Sequence, residues 1–119
     1  MNIAVGVEHA RVPVTVMRLS GRINLSNAEE LQQRAQAAFD HGARDLLIDL
    51  ADVESITSAG LRAMLAIVKL FGNCAIGGKK SPHVKLLQPS ESVRQVFQIA
   101  GFVDFMEIYD DRAQALASF

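Results

Sequence analysis

The stretch "LLIDLADVESITSAGLRAML", residues 46–65, decides the fold because it joins a buried strand to a helix. The segment "DLLIDL" at 45–50 is too short for a helix and is apolar on both faces, which predicts a central strand. The polar run 55–60 ends this strand. A helix then continues to about residue 71, because apolar residues recur at helical spacing, namely Leu61, Met64, Leu65 and Val68.

The residues before this stretch predict a hairpin and a helix. Apolar residues alternate with polar or small ones over 2–8, and a second β-rich run covers 12–20 with Pro13 at a strand start or edge. The segment 24–42 is helical in character. Ser26 and Glu29 are spaced as a capping box, and Gly42 is placed to end the helix.

The residues after it repeat the alternation of strand and helix. "VKLLQ" at 84–88 predicts a strand, and "PSESVRQVFQIAG" a helix entered through Pro89 and Ser90 and stopped at Gly101. "VDFMEIY" at 103–109 predicts a last strand, and "DDRAQALASF" at 110–119 a last helix. The order β-β-α-β-α-β-α-β-α predicts one α/β domain over residues 1–119, with a mostly parallel or mixed sheet.

The composition excludes several functional classes. Half of the 119 residues are hydrophobic and the net charge is −1, a balance that gives no electrostatic reason to bind nucleic acids or anionic membranes, which require clustered Lys and Arg. The lone cysteine, Cys74, cannot form an internal disulfide, which fits a reducing compartment. No signal-peptide pattern and no apolar run of about 18 residues is present, so we expect a cytoplasmic protein without direct membrane insertion.

The sequence contains no constellation typical of an enzyme. The three histidines fall in separate predicted turns, without metal-ligand spacing. Asp45 and Asp49 are interpreted as strand-end and sheet-edge charges. The loop at 72–83 fails the phosphate-loop pattern because Lys80 stands at its Ser/Thr position. We therefore predict no catalytic residue, no metal and no cofactor.

Ser58 has two interpretations at the predicted junction of strand and helix. It could cap the helix, as Thr57 could equally well, since Ser and Thr are favoured N-caps. It could instead accept a phosphate, because a helix N-terminus offers free N–H groups and a positive potential to an anion. The residues alone favour the cap.

Three blocks of the sequence match a known family, and together they cover nearly the whole chain. They are "LSGRINLSNAEEL" (19–31), "LLIDLADVESITSAGLRAML" (46–65) and "LLQPSESVRQVFQIAGFVDFMEIYDD" (86–111). In these blocks the chain resembles the STAS domain of bacterial anti-sigma factor antagonists and sulfate-transporter tails. The resemblance implies a four- to five-stranded sheet with helices mainly on one face.

The resemblance also implies a non-enzymatic switch in bacterial transcription. Such antagonists bind an ATP-dependent serine kinase that is itself the anti-sigma factor, and phosphorylation of one serine ends the interaction until a phosphatase resets it. The matching acceptor is Ser58. We expect the partner-binding residues around it to be Asn24, Ser26, Thr57, Ala59, Gly60 and Arg62. We expect the chain itself to be a monomer or a weak homodimer.

Two positions depart from the pattern of many phosphorylated members. Thr57 precedes the acceptor where Asp is common, and Asn24 stands where the turn after the second strand often has Asp. These neutral residues favour a second hypothesis, a constitutive adaptor in a transporter or sensory assembly that is not phosphorylated. A third hypothesis, a small enzyme or ligand-binding protein using the same sheet edge, lacks a base, a metal set or a phosphate loop.

Overall fold

The computed structural model describes residues 1–72 and 80–119. Cys74 and most of the predicted loop at 72–83 therefore lie outside the described residues. The strands are β1 (Asn2–His9), β2 (Pro13–Ile23), β3 (Leu46–Ile56), β4 (Val84–Leu87) and β5 (Glu107–Tyr109). The α-helices are α1 (Ala28–Asp40), α2 (Ser58–Phe71), α3 (Glu91–Ile99) and α4 (Arg112–Ala117), and a 3₁₀ turn spans Phe102–Asp104.

The five strands form one mixed sheet in the order β1-β2-β3-β4-β5. β1 pairs with β2 in the antiparallel sense, whereas β2, β3, β4 and β5 run parallel. β3 lies in the centre, and its residues 46–50 are all buried, as their continuous apolar character predicted. The predicted element order and the mixed five-stranded sheet are confirmed.

The two faces of the sheet are covered unequally. The helix face carries Met17, Ile48 and Leu86, which share the larger apolar cluster with residues of α1, α2 and α3. The second face carries Val16, Leu47 and Leu87, which form a smaller cluster with Ala115 of α4. The helices therefore lie mainly on one face, as the family resemblance implied.

β3 and β5 differ most in length from their predictions. β3 continues to Ile56, six residues beyond the predicted end, because its polar second half pairs with β2 as far as the partners Ile23 and Ile56. β5 is shorter than 103–109 and contains only three residues. The residues before it turn back as a 3₁₀ helix, because Phe102 is buried and its ring stacks on Phe97 with centroids 5.8 Å apart.

The capping box predicted for α1 is wrong. The helix begins at Ala28 with Asn27 as its N-cap residue. The Ser26 hydroxyl lies 2.6 Å from Asn24 Oδ1, to which it donates a hydrogen bond, so it does not cap the helix. The prediction failed because the Asn24 side chain competes for Ser26 in a local turn.

The other predicted helix ends agree with the structure. Ser90 accepts a hydrogen bond from Val93 N at the start of α3, and Asp111 accepts one from Ala113 N at the start of α4. Gly42 and Gly101 follow α1 and α3 with positive φ angles of 107° and 78°, which glycine adopts without strain.

Asp45 and Asp49 have different environments. Asp45 immediately precedes β3, as predicted for a strand-end charge, and its Oδ1 lies 3.0 Å from His83 Nδ1. Asp49 lies within the central strand and is only 6% exposed, so its assignment to a sheet edge is wrong. Its Oδ1 accepts a hydrogen bond from Ala51 N, which compensates for its burial.

Charged pairs occupy the part of the second face that is exposed. Arg18 Nη2 donates to Asp52 Oδ2 at 2.7 Å, and Arg22 Nε to Glu54 Oε2 at 3.2 Å. The hydrogen bond and charge of Asp52, followed by the charge of Asp49, raise the pKa of Arg18 above its ordinary value. Because solvent screens such exposed pairs, they contribute little to stability.

A buried lysine holds the C-terminal segment on the second face. The side chain of Lys85, only 5% exposed, donates from Nζ to Ser118 O at 2.8 Å and lies 2.9 Å from Glu107 Oε2. The same Nζ lies 4.7 Å from the ring centroid of Phe119. Lys85 therefore connects β4, β5 and the residues that follow α4.

We expect Lys85→Ala to lower the free energy of unfolding by about 1–3 kcal/mol, because it removes several hydrogen bonds to a buried charge at once. Urea denaturation measures the loss, and hydrogen exchange should show faster exchange in α4 than elsewhere. Arg22→Ala, which removes an exposed pair, is the control and should change the same quantity by less than about 1 kcal/mol. Equal losses in the two variants would contradict a special role for Lys85.

Candidate functional site

Ser58 is the first residue of α2 and is exposed at the carboxyl ends of two parallel strands. Only Thr57 separates it from the end of β3. Thr57 N donates a hydrogen bond of 3.0 Å to Ile23 O, the last carbonyl of β2. The end of β2, the end of β3 and the start of α2 therefore meet at one point of the sheet edge.

Neither hydroxyl at this junction caps the helix. Thr57 has the extended backbone of an N-cap residue, but its side chain makes no capping hydrogen bond. The first intrahelical bond runs from Leu61 N to Thr57 O. Within residues 1–72 and 80–119 the Ser58 hydroxyl has no hydrogen-bond partner. The structure therefore does not support the interpretation of Ser58 as a cap.

The first turn of α2 has the features of an anion site. The N–H groups of Ser58, Ala59 and Gly60 precede the first intrahelical bond, and this turn contains no acidic residue. The aligned peptide dipoles place a partial positive charge at this end of the helix. A negative group on the Ser58 oxygen would therefore be stabilised where it forms.

A turn held by two asparagine side chains lies beside Ser58 in the topology, directly after β2. Asn24 Oδ1 accepts from Ser26 N at 3.0 Å, and Asn27 Oδ1 accepts from Asn24 N at 2.9 Å. Asn27 Nδ2 also donates to Arg22 O at 2.7 Å. These bonds satisfy the backbone of the turn locally, so its conformation does not depend on a partner.

Leu25 is a functional candidate that our reading of the sequence missed. It lies in this turn between Asn24 and Ser26, and its side chain is 79% exposed. A large apolar side chain displayed on a hydrogen-bonded turn is suited to bury against another protein. The signal available in the sequence was an apolar residue among turn-forming polar ones, which becomes specific only once its exposure is known.

The predicted site residues separate into an exposed and a buried group. Ser26, Thr57 and Arg62 are exposed and Asn24 is partly exposed, so they are accessible from solvent. Ala59, at 8% exposure, and Gly60 are buried. Ala59 and Gly60 therefore pack beneath this surface, and their place among the partner-binding residues stays a prediction.

Gly60 sets the distance between α2 and the sheet. A Cβ atom built at this position would lie 2.6 Å from Ile56 Cγ1 and 2.8 Å from Ile23 Cγ2. Both isoleucines are buried at the ends of their strands, and their β-branched side chains have little room to turn away. The absence of a side chain at Gly60 therefore allows Ser58 to stand directly over the ends of β2 and β3.

We expect Gly60→Ala to destabilise the protein by about 1–2 kcal/mol, because the cost of overpacking exceeds the gain in helix propensity from Gly to Ala. Chemical denaturation measures the change. Gly6→Ala is the matched control, since an added Cβ there meets nothing within 4 Å, and it should leave stability almost unchanged. A Gly60→Ala protein as stable as the unmodified chain would show that the contact is not limiting.

Two other features are absent from the described residues. In residues 1–72 and 80–119 there is no group of three or more His, Cys, Asp or Glu side chains that could hold a metal ion. The same part of the chain has no helix whose length and apolar character would let it cross a membrane.

The family of the chain follows from a comparison with known domains. The model of the STAS domain family matches residues 6–115, which include β2 to β5 and the second half of β1. The chain therefore belongs to the STAS domain family, and the resemblance drawn from its three sequence blocks is confirmed.

Relatives of this chain have names connected with sigma-factor control. BtrV of Bordetella bronchiseptica, assigned as an anti-sigma factor antagonist, is 34% identical over 101 residues, which span 85% of this chain and 82% of BtrV. The crystal structure of an anti-sigma factor antagonist from Mycobacterium paratuberculosis is 25% identical, covers 98% of this chain and 93% of its own, and has a TM-score of 0.78.

A third relative has been solved in two chemical states. Bacillus SpoIIAA in its unphosphorylated form covers 94% of this chain and 92% of its own at 24% identity, with a TM-score of 0.69. Its phosphorylated form covers 94% and 96% at 22% identity, with a TM-score of 0.62. At this level of identity the likeness establishes a shared fold.

Proposed function

We propose that the chain is an anti-sigma factor antagonist that binds an ATP-dependent anti-sigma factor serine kinase and is released when Ser58 is phosphorylated. The observation that carries the proposal is the exposed Ser58 hydroxyl, which makes no hydrogen bond within the described residues and stands at the N-terminus of α2. A kinase can reach such a hydroxyl without unfolding the chain. A cognate phosphatase would restore the binding form.

Phosphorylation at this position would change the surface more than the fold. The Ser58 side chain makes no hydrogen bond within the described residues, so its modification breaks none there. The phosphate adds about 1.5 to 2 negative charges, which the N–H groups and dipole of α2 can accommodate. A partner packed over Ser58 would have to desolvate that charge, and this cost opposes binding.

The surface proposed to contact the partner extends from Ser58 to the turn after β2. Asn24, Leu25 and Ser26 display polar and apolar groups on a preformed turn, and Arg62 adds a positive charge one turn along α2. A preformed surface binds without the entropic cost of ordering a loop. The assignment of BtrV as an antagonist and the two forms of SpoIIAA support a switch of this type.

The constitutive adaptor remains the second candidate because of two neutral side chains. Thr57 precedes Ser58, and the side-chain oxygen of Asn24 already accepts hydrogen bonds from Ser26. Neither position offers a negative charge to a kinase. An adaptor of this kind would bind its partner equally well with and without ATP.

We expect Ser58→Asp to weaken binding to an anti-sigma factor kinase from the same organism by at least about tenfold, because it places a charge in the interface. Ser58→Ala should bind like the unmodified chain and should stay bound when ATP is added. Isothermal titration calorimetry with and without ATP measures both effects. Equal affinities for all three proteins under both conditions would contradict the switch.

Intact-mass spectrometry after incubation with the kinase and ATP separates the switch from the adaptor. One added phosphoryl group on the unmodified chain, and none on Ser58→Ala, is the result expected of the switch. Modification of Thr57 or Ser55 in place of Ser58 would overturn the assignment of the acceptor. No added mass would favour the adaptor.

We expect Leu25→Ser to weaken kinase binding by about tenfold or more, because it removes an apolar anchor beside Ser58 while leaving the asparagine turn intact. The matched control is Ile99→Ser, since Ile99 is 88% exposed and lies at the opposite end of the sheet, where α3 ends. The same titration measures both variants, and thermal unfolding confirms that both remain folded. Similar losses of affinity would show that Leu25 has no specific role.

A further inference from the structure

β1 is a long edge strand, and its side chains on the helix-covered face of the sheet are apolar and largely exposed. All of its residues except Ile3 are exposed, and Val5 and Val7 have exposed fractions of 42% and 57%. The opposite edge of the sheet is formed by β5, which has only three residues. An exposed edge of this length offers unpaired backbone N–H and C=O groups to another strand.

The usual protections of an edge strand are missing from β1. Its residues pair with β2 in an unbroken register from Asn2 opposite Ser20 to His9 opposite Pro13, so no bulge twists the edge away. The strand contains no proline or lysine, and its one carboxylate, Glu8, lies near its end and pairs with Arg112 at 2.9 Å. Such an edge is typical of strands that pair with a further strand.

We propose that β1 pairs antiparallel with β1 of a second copy of this chain, about a two-fold axis that passes through Val5. The two sheets then form one continuous sheet of ten strands, with both sets of helices on the same side. In this register Val5 faces Val5, Ile3 faces Val7, Ala4 faces Gly6 and Asn2 faces Glu8.

The register follows from self-complementarity. Ile3, Val5 and Val7 alternate along β1, and their partners in β2 are Leu19, Met17 and Thr15, which places them on the helix face. Centring the axis on Val5 brings these three residues of one copy against the same three of the other. A shift of the axis to Gly6 would place His9 opposite Ile3 and lose one apolar pair.

The charges are compatible with a second copy as the occupant. Glu8 faces the neutral Asn2, and the two Glu8 residues lie at opposite ends of the ribbon, about 20 Å apart at the rise of a strand. The net charge of −1 per chain gives little repulsion between copies. β1 of the second copy would also close the outer side of a groove that Val5 and Val7 form with Ala43 and Arg44.

Sedimentation velocity of the full chain tests the pairing without any partner protein. We expect exchange between monomer and dimer over about 10 µM to 1 mM, since seven residue pairs form an interface at the small end of specific contacts. Val5→Lys should raise the dissociation constant at least about tenfold, because two like charges then meet at the axis. Val5→Glu should have the same effect.

An equimolar mixture of Val5→Lys and Val5→Glu should recover the dimer, because residue 5 of each copy then faces the opposite charge. Ile99→Lys changes an even more exposed apolar residue outside β1 and should leave the dissociation constant of the dimer unchanged. A monomer at 1 mM, or a mixture that stays monomeric while both variants are folded, would overturn the proposal. Because Ser58 is not involved, this outcome is independent of the proposed switch.

Discussion

The close approach of Gly60 to Ile23 and Ile56 is the constraint on which the rest of the structure depends. β2 and β3 end side by side, and α2 begins one residue later directly over their last apolar side chains. A larger residue at position 60 would lift the first turn of α2 away from the sheet, together with Ser58. The central strand and the exposed hydroxyl of Ser58 are thus coupled through the contact of one glycine backbone with two side chains.

The site can be rigid while the Ser58 hydroxyl stays available for modification. The backbone of Thr57 is tied to Ile23 O, and the turn at Asn24 is satisfied by its own side chains. The Ser58 hydroxyl is therefore not needed to hold any described part of the fold together. A group that has no structural task can be modified without a loss of stability, which is what the proposed switch requires. The buried Lys85, by contrast, is engaged with Glu107 and Ser118 and stabilises the second face of the sheet.

The order of the elements and most helix ends could be predicted because their causes are local. Ser90 and Asp111 cap helices through residues two or three positions away, and Gly42 and Gly101 end helices through their own backbone angles. The predictions that failed depend on residues distant in sequence. The extension of β3 requires pairing with β2, and the 3₁₀ turn at Phe102 requires packing on Phe97. The capping prediction for Ser26 failed for a local reason, because its hydroxyl donates to the Asn24 side chain in the turn and does not accept from the helix.

The sequence by itself determined the α/β order and the central strand, which follow from periodicity and from motifs whose spacing is set along the chain. Its three blocks also carried the resemblance to the STAS family, and that resemblance drew attention to Ser58. Only the tertiary structure decided that neither Ser58 nor Thr57 caps α2 with its hydroxyl, that Ala59 and Gly60 are buried and that Leu25 is displayed beside the site. The physical reason is that burial and hydrogen-bond partners depend on which strand ends meet at the sheet edge. That arrangement is set by the packing of whole elements, and no short stretch of sequence contains it.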